Sequence, residues 1–159
     1  MEPIPPTENP AGSSRPRRPT RRSILVAEGE ADILRLNSEV LTYAGYQVDS
    51  VRDGAAAWDR LQMNRYDLVL TAQHLPAVSG VELLRKMHDT SLRLPVIMAT
   101  RSLPTWEFAV YPWLHAVTLL HLPYTFENLL GKVENLLPAA LGAPMPNWKT
   151  QPLPIHFFF

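Results

Sequence analysis

Residues 66–88 read YDLVLTAQHLPAVSGVELLRKMH and hold one complete strand–loop–helix unit. Asp67–Ala72 (DLVLTA) is an apolar run of strand length. Pro76 interrupts the chain after it, and Gly80–His88 then sets Val81, Leu84 and Met87 on one helical face. The same unit recurs on either side. Upstream, Ser23–Glu28 (SILVAE) is a strand, and Asp32 is expected to cap a helix running to Ala44, with Ile33, Leu36, Val40 and Ala44 along its stripe. Gly45 stands where a left-handed C-terminal cap is needed. Gln47–Val51 is a second strand, and Asp53-Gly54 opens a helix carrying Ala57, Trp58 and Leu61 that ends near Asn64.

Downstream, Pro95–Thr100 (PVIMAT) is the fourth strand. Pro104 and Pro112 leave room for only a short helix between them. Val117–Leu122 is the fifth strand, and Phe126–Leu137 is a last helix that buries Leu129, Leu130, Val133, Leu136 and Leu137 before Pro138 stops it. Five strands alternating with helices, several of them continuously apolar, predict an α/β fold with a parallel sheet covered on both faces. Right-handed crossovers favour a doubly wound, flavodoxin-like order 2-1-3-4-5. Chemistry in such folds lies beyond the carboxyl ends of the strands. That directs attention to Glu28-Gly29-Glu30, Ala72-Gln73-His74, Thr100-Arg101 and Leu122-Pro123.

Composition narrows the chemistry. The 159 residues include no cysteine, which excludes disulfides, a thiolate nucleophile and Cys-based metal centres. The net charge of zero is unevenly spread: residues 1–22 carry +3, residues 23–137 carry −4 and Lys149 adds one. Eleven of the sixteen prolines lie in residues 1–22 and 138–159. The chain therefore divides into an Arg/Pro-rich leader (1–22) expected to be disordered, a mildly acidic domain (23–137) and a Pro-rich tail (138–159). The leader lacks the aromatic or repeated basic motif of a nucleic-acid binder, and its twin-arginine stretch has no apolar run behind it. Phe108–Phe126 has no charged side chain, but Pro112, Pro123, His115 and His121 argue against a membrane span. A cytoplasmic protein with no membrane or nucleic-acid partner is expected.

The stretches ILVAEGEADILRL, YDLVL followed by LPAVSGVELLRKM, LPVIMAT and LPYTFENLL resemble the receiver domain of two-component response regulators, CheY-like, over residues 24–137. The resemblance implies a site in which two acidic residues after the first strand and an aspartate ending the third hold a divalent cation. That aspartate would take a phosphoryl group from a histidine kinase. A Ser/Thr ending the fourth strand and a Lys ending the fifth would bind the phosphoryl oxygens, and an aromatic three residues before the Lys would switch with the Thr. Carried onto this chain, the acidic pair is Glu28 and Gly29, the phosphoacceptor position is Ala72, and the lysine position is Leu122. The switch position is Leu119, and only Thr100 keeps its usual type beside Glu28. A methyl group is neither nucleophile nor ligand. Losing Lys together with Asp also avoids leaving a lysine without its carboxylate partner.

Other residues offer little in exchange. Asp67 starts the third strand at the wrong end, Thr71 alternates away from Ala72, and a His74/His121/Glu28 metal site fails because His121 should point away. Glu30 and Arg101 read as solvated side chains. Trp106, Phe108, Tyr111, Trp113 and Tyr124 are candidate partner-binding residues, with at least two of the first four expected in the core. The expectation is a stand-alone degenerate receiver, a pseudo-receiver without enzymatic activity. It would act as an interaction module in phosphorelay signalling, unphosphorylated at the usual position. No catalytic or metal-site residue is expected, no cofactor, and only weak or absent magnesium binding. Its partner would be a histidine kinase, another receiver, an effector, or a second copy through the fourth-helix/fifth-helix face. The alternative is a small-molecule or ion sensor using the space between Glu28, Ala72 and Thr100.

Overall fold

The computed structural model describes residues 21–102 and 105–137. The leader, except for Arg21 and Arg22, the tail and Pro104 lie outside the described residues. The elements are β1 (Ser23–Ala27), α1 (Ala31–Tyr43), β2 (Gln47–Val51), α2 (Gly54–Met63), β3 (Leu68–Ala72) and α3 (Gly80–Asp89), followed by β4 (Val96–Thr100) and α4 (Thr105–Val110). A 3-10 turn at Pro112–Ala116, β5 (Thr118–His121) and α5 (Phe126–Leu136) complete the order. All strand pairs are parallel and the order is β2-β1-β3-β4-β5, as the apolar runs predict.

Strand alternation divides the core into two layers. Ile24, Val26, Leu68, Leu70 and Ile97 face α1 and α5, meeting Leu41, Leu129 and Val133. Leu25, Val69 and Met98 face the other way, against Leu83, Leu84, Met87 and Leu114. Burying such side chains stabilises by about 1.5–3 kcal/mol each.

Two local expectations are corrected. Asp32 does not cap α1: Glu30 holds the N-cap position without a side-chain bond, and Asp32 sits in the first turn. The Glu28 carboxylate accepts from the Glu30 backbone N–H at 3.0 Å, ordering the turn so that the helix begins earlier. The buried stripe of α1 is also rotated, with Leu34, Asn37, Val40 and Leu41 inside and Ile33 and Leu36 only half-buried. Asn37 tolerates burial because its side chain pairs with the Tyr124 hydroxyl at 2.9 Å. Elsewhere local chemistry acts as read: Asp53 caps α2 through the Ala56 N–H, and Gly45 has φ +102°. Ser79 and Glu82 close a reciprocal capping box at the start of α3.

Candidate functional site at the carboxyl edge of the sheet

The loops after β1, β2 and β3 are joined to one another by backbone contacts. The Glu28 N–H donates to the Val51 carbonyl at 3.1 Å, and the Gly54 N–H donates to the Pro76 carbonyl at 3.2 Å. The Arg52 guanidinium donates to the Gly29 carbonyl at 2.9 Å. Two glycines are required by close approach. A Cβ on Gly54 would lie 1.8 Å from the Val78 carbonyl oxygen, and one on Gly80 would lie 2.2 Å from that of Ala72. No side chain fits at either position without moving backbone. At Gly29, by contrast, a Cβ would meet Pro76 Cδ at 3.4 Å, an ordinary contact, so sterics do not explain the missing carboxylate there.

The side chains on this frame are sparse in charge. Glu28 is half-buried, and burial pushes its carboxyl upward from the usual value. The charge of Glu30 adds to that shift, while the backbone N–H groups of Glu30 and Gly29 oppose it. Ala72 ends β3 and pairs in register with Ala99. Leu122 follows β5 half-buried, its N–H bonded to the Thr100 carbonyl at 2.9 Å.

Thr100 is buried, and its hydroxyl is committed on both sides. Its proton faces both the Gln73 side-chain oxygen and the Ser102 carbonyl at 2.5 Å, and its oxygen accepts from the Ser102 N–H at 3.2 Å. The region named for a small ligand, between Glu28, Ala72 and Thr100, is thus served by a Gln73 side chain bonded to Thr100. Gln73 is among the positions beyond the strand ends that the sequence singles out, but residue type alone assigns it no role. Its one signal was a polar residue following β3 on the same side of the sheet as Thr100.

A hard divalent cation needs six or more oxygen ligands, ordinarily with more than one carboxylate. Here Glu28 supplies the only carboxylate among the positions the resemblance names, and Gly29 and Ala72 supply no side-chain oxygen. Among the described residues no three His, Asp or Glu side chains gather as a metal site. The residues present do not fit magnesium at this edge.

The remaining named residues are scattered. His74 and His121 are exposed, and Asp67 accepts from the Ser23 N–H at 2.8 Å at the opposite end of its strand. Leu119 is half-buried against the core layer that includes Leu114. Tyr124 packs between α1 and α5, where burial raises its hydroxyl pKa. Trp106 is 62% exposed, whereas Phe108, Tyr111 and Trp113 are half-buried against the α2–α3 layer. Sequence gave no sign that Trp113 would stack on His88, at 4.6 Å between ring centroids.

A family model described as the response regulator receiver domain matches residues 24–134. The chain belongs to that family. Response regulator ArlR of Staphylococcus aureus is 28% identical over 114 residues, covering 72% of this chain and 52% of that protein. Sensor protein EvgS of Escherichia coli O157:H7 is 36% identical over 78 residues, 49% of this chain and 6% of that one. The receiver thus spans about half the length of ArlR and a small part of EvgS. Among solved structures, chemotaxis response regulator CheY4 of Vibrio cholerae matches with TM-score 0.66 at 24% identity, covering 74% of this chain and all of that one, and shares the fold. Response regulator TrrA of Thermotoga maritima, solved in complex with Mg(2+)-BeF, matches with TM-score 0.64 at 26% identity, covering 73% of this receiver and 99% of its own chain. The chain is a receiver domain of two-component signalling, and receivers are signalling modules. Among the described residues no helix is long and apolar enough to cross a membrane.

Proposed function

We propose that this receiver works as a protein-interaction module in two-component signalling without passing through a phospho-aspartate. One observation carries the reading: the strand tip that would present the nucleophile ends in Ala72, beside a Thr100 hydroxyl already bonded to Gln73. A carboxylate oxygen is the atom that attacks phosphorus in such a transfer, and alanine has none. Leu122 adds to the case, because no ammonium stands there to draw a phosphoryl oxygen. Magnesium binding is weak or absent, and the domain performs no catalysis of its own.

The partner is a two-component protein of the cytoplasm: a histidine kinase, another receiver or an effector. It is met on the face that carries α4, β5 and α5, where Trp106 is the exposed aromatic anchor. The same face is available to a second copy of the chain. The sensor and regulator names among the relatives fit such a partner.

Intact-mass measurement of the full chain after incubation with acetyl phosphate and magnesium tests the reading. The expected result is an unchanged mass. A phosphoryl adduct that hydroxylamine removes would overturn it.

A further inference from the structure

The opposite end of the sheet holds a groove of about 650 Å³, within the size range of ligand pockets. It lies between the end of α3, the loop leading into β4 and the turn before β5. Leu84, Met87, Leu92, Leu94, Trp113 and Val117 make it apolar, and Arg93 and His88 stand at its rim without a carboxylate in the lining. The groove exists because the cover over β4 and β5 is thin. α4 has only six residues and buries none of them, and Pro112 turns the chain into a 3-10 segment that contributes Leu114 alone to the fully buried core.

The chain itself delivers an occupant to this end. α5 starts beyond the carboxyl edge, after His121, and runs back for 11 residues, about 16 Å. That equals the length of a five-residue strand, so Leu137 lies at the amino edge, where β4 begins. Residues 138–159 continue from there with five prolines, Trp148, Ile155, Phe157, Phe158 and Phe159, and Lys149 as their single charge among Asp, Glu, Lys and Arg. The route to the groove passes round the β5 edge, across one helix layer and the sheet, each about 10 Å thick. Ten extended residues span about 33 Å, so residues from Trp148 onward are within reach. A tethered segment acts at an effective concentration in the millimolar range, ahead of any free competitor of similar affinity.

We propose that residues 148–159 of this chain occupy the groove between α3 and the turn before β5. Their aromatic side chains lie against Trp113, Leu92 and Leu94. The apolar side chains of the segment match a lining that offers apolar surface, and its one charged side chain among Asp, Glu, Lys and Arg, Lys149, stands near the segment's start in sequence. This occupancy is independent of whether the carboxyl edge is ever phosphorylated.

Because the chain has no cysteine, Thr150→Cys in the full-length protein takes a single nitroxide label. The expected result is paramagnetic loss of NMR signal strongest at Leu84, Leu92, Leu94, Val117 and the Trp113 indole, within one molecule. Converting Phe157, Phe158 and Phe159 together to Ser, changes outside the packed domain, should restore those signals, as should Leu94→Glu. Unchanged groove signals would overturn the proposal. So would loss centred on the β5–α5 cleft at Asn128 and Lys132. So would loss seen only when labelled chains are mixed with isotope-labelled chains lacking the nitroxide, which would mark a second copy as the occupant.

Discussion

The loop 73–80 and the strand tips beside it occupy one edge of the sheet and differ in what they retain. The loop keeps its close packing and cap, even with Ala77 at φ +66°: Gly80 against the Ala72 carbonyl, Gly54 against Val78, and the Ser79–Glu82 capping box. The tips display Ala72, Gly29 and Leu122, where the family resemblance places charge. The fold at this edge is therefore specified by shape and backbone hydrogen bonding rather than by charge at the strand tips. Glycine space and helix caps are met at this edge with no carboxylate at the end of β3.

That contrast is broken most severely from the loop side. Gly80→Ala forces a Cβ into the Ala72 carbonyl, an overpacking cost of about 1–3 kcal/mol or more. Thermal unfolding by circular dichroism should show Tm lowered by roughly 10 °C. Gly29→Ala, where the space is ordinary, serves as the control and should leave Tm nearly unchanged.

A smaller effect is expected at the tips. Ala72→Asp adds a second carboxylate near half-buried Glu28 with no cation to offset it, costing roughly 1–2 kcal/mol in urea unfolding. Position 122 lies two strands away, about 10 Å across the sheet and within reach of a lysine side chain. Leu122→Lys in the same chain should recover about 1 kcal/mol, read as coupling in a double-mutant cycle. Strict additivity of the two changes would show that the tips no longer communicate.

Smallest of all is Glu28→Gln. Burial raises the Glu28 pKa in the folded state above its unfolded value, so the folded state holds its proton more tightly. Stability from this group therefore falls as pH rises through that window, and at neutral pH the charged form is a liability. The glutamine variant should unfold at slightly higher temperature than the parent at pH 7, with the difference vanishing below about pH 4.5, the group's ordinary value. An equal offset at both pH values would assign the effect to packing.

What the sequence made legible follows the same division. Apolar runs such as Leu68–Ala72 and Val96–Thr100 announce buried parallel strands, because both of their faces must be covered. Asp53, Gly45 and Gly54 announce local geometry, because their requirements involve only near neighbours. The side of α1 that turns inward was misjudged by a residue, since Ile33 and Leu34 are equally apolar and tertiary packing chose between them. Contacts between distant segments are at most faintly legible. Gln73 reaches Thr100 and His88 reaches Trp113 over separations that no local periodicity encodes. The residue types at the tips, conversely, are read directly from the sequence.

The bond from Thr100 to Gln73 has a consequence for anything that approaches this edge. A hydroxyl carries one proton, and two acceptors fixed to the same polypeptide already contend for that of Thr100, the Gln73 amide oxygen and the Ser102 carbonyl at 2.5 Å. An oxyanion arriving from solution therefore competes with two resident rivals that never diffuse away. Gln73→Ala would leave the Ser102 carbonyl as the resident acceptor, and it is the simplest way to ask what else that proton would choose.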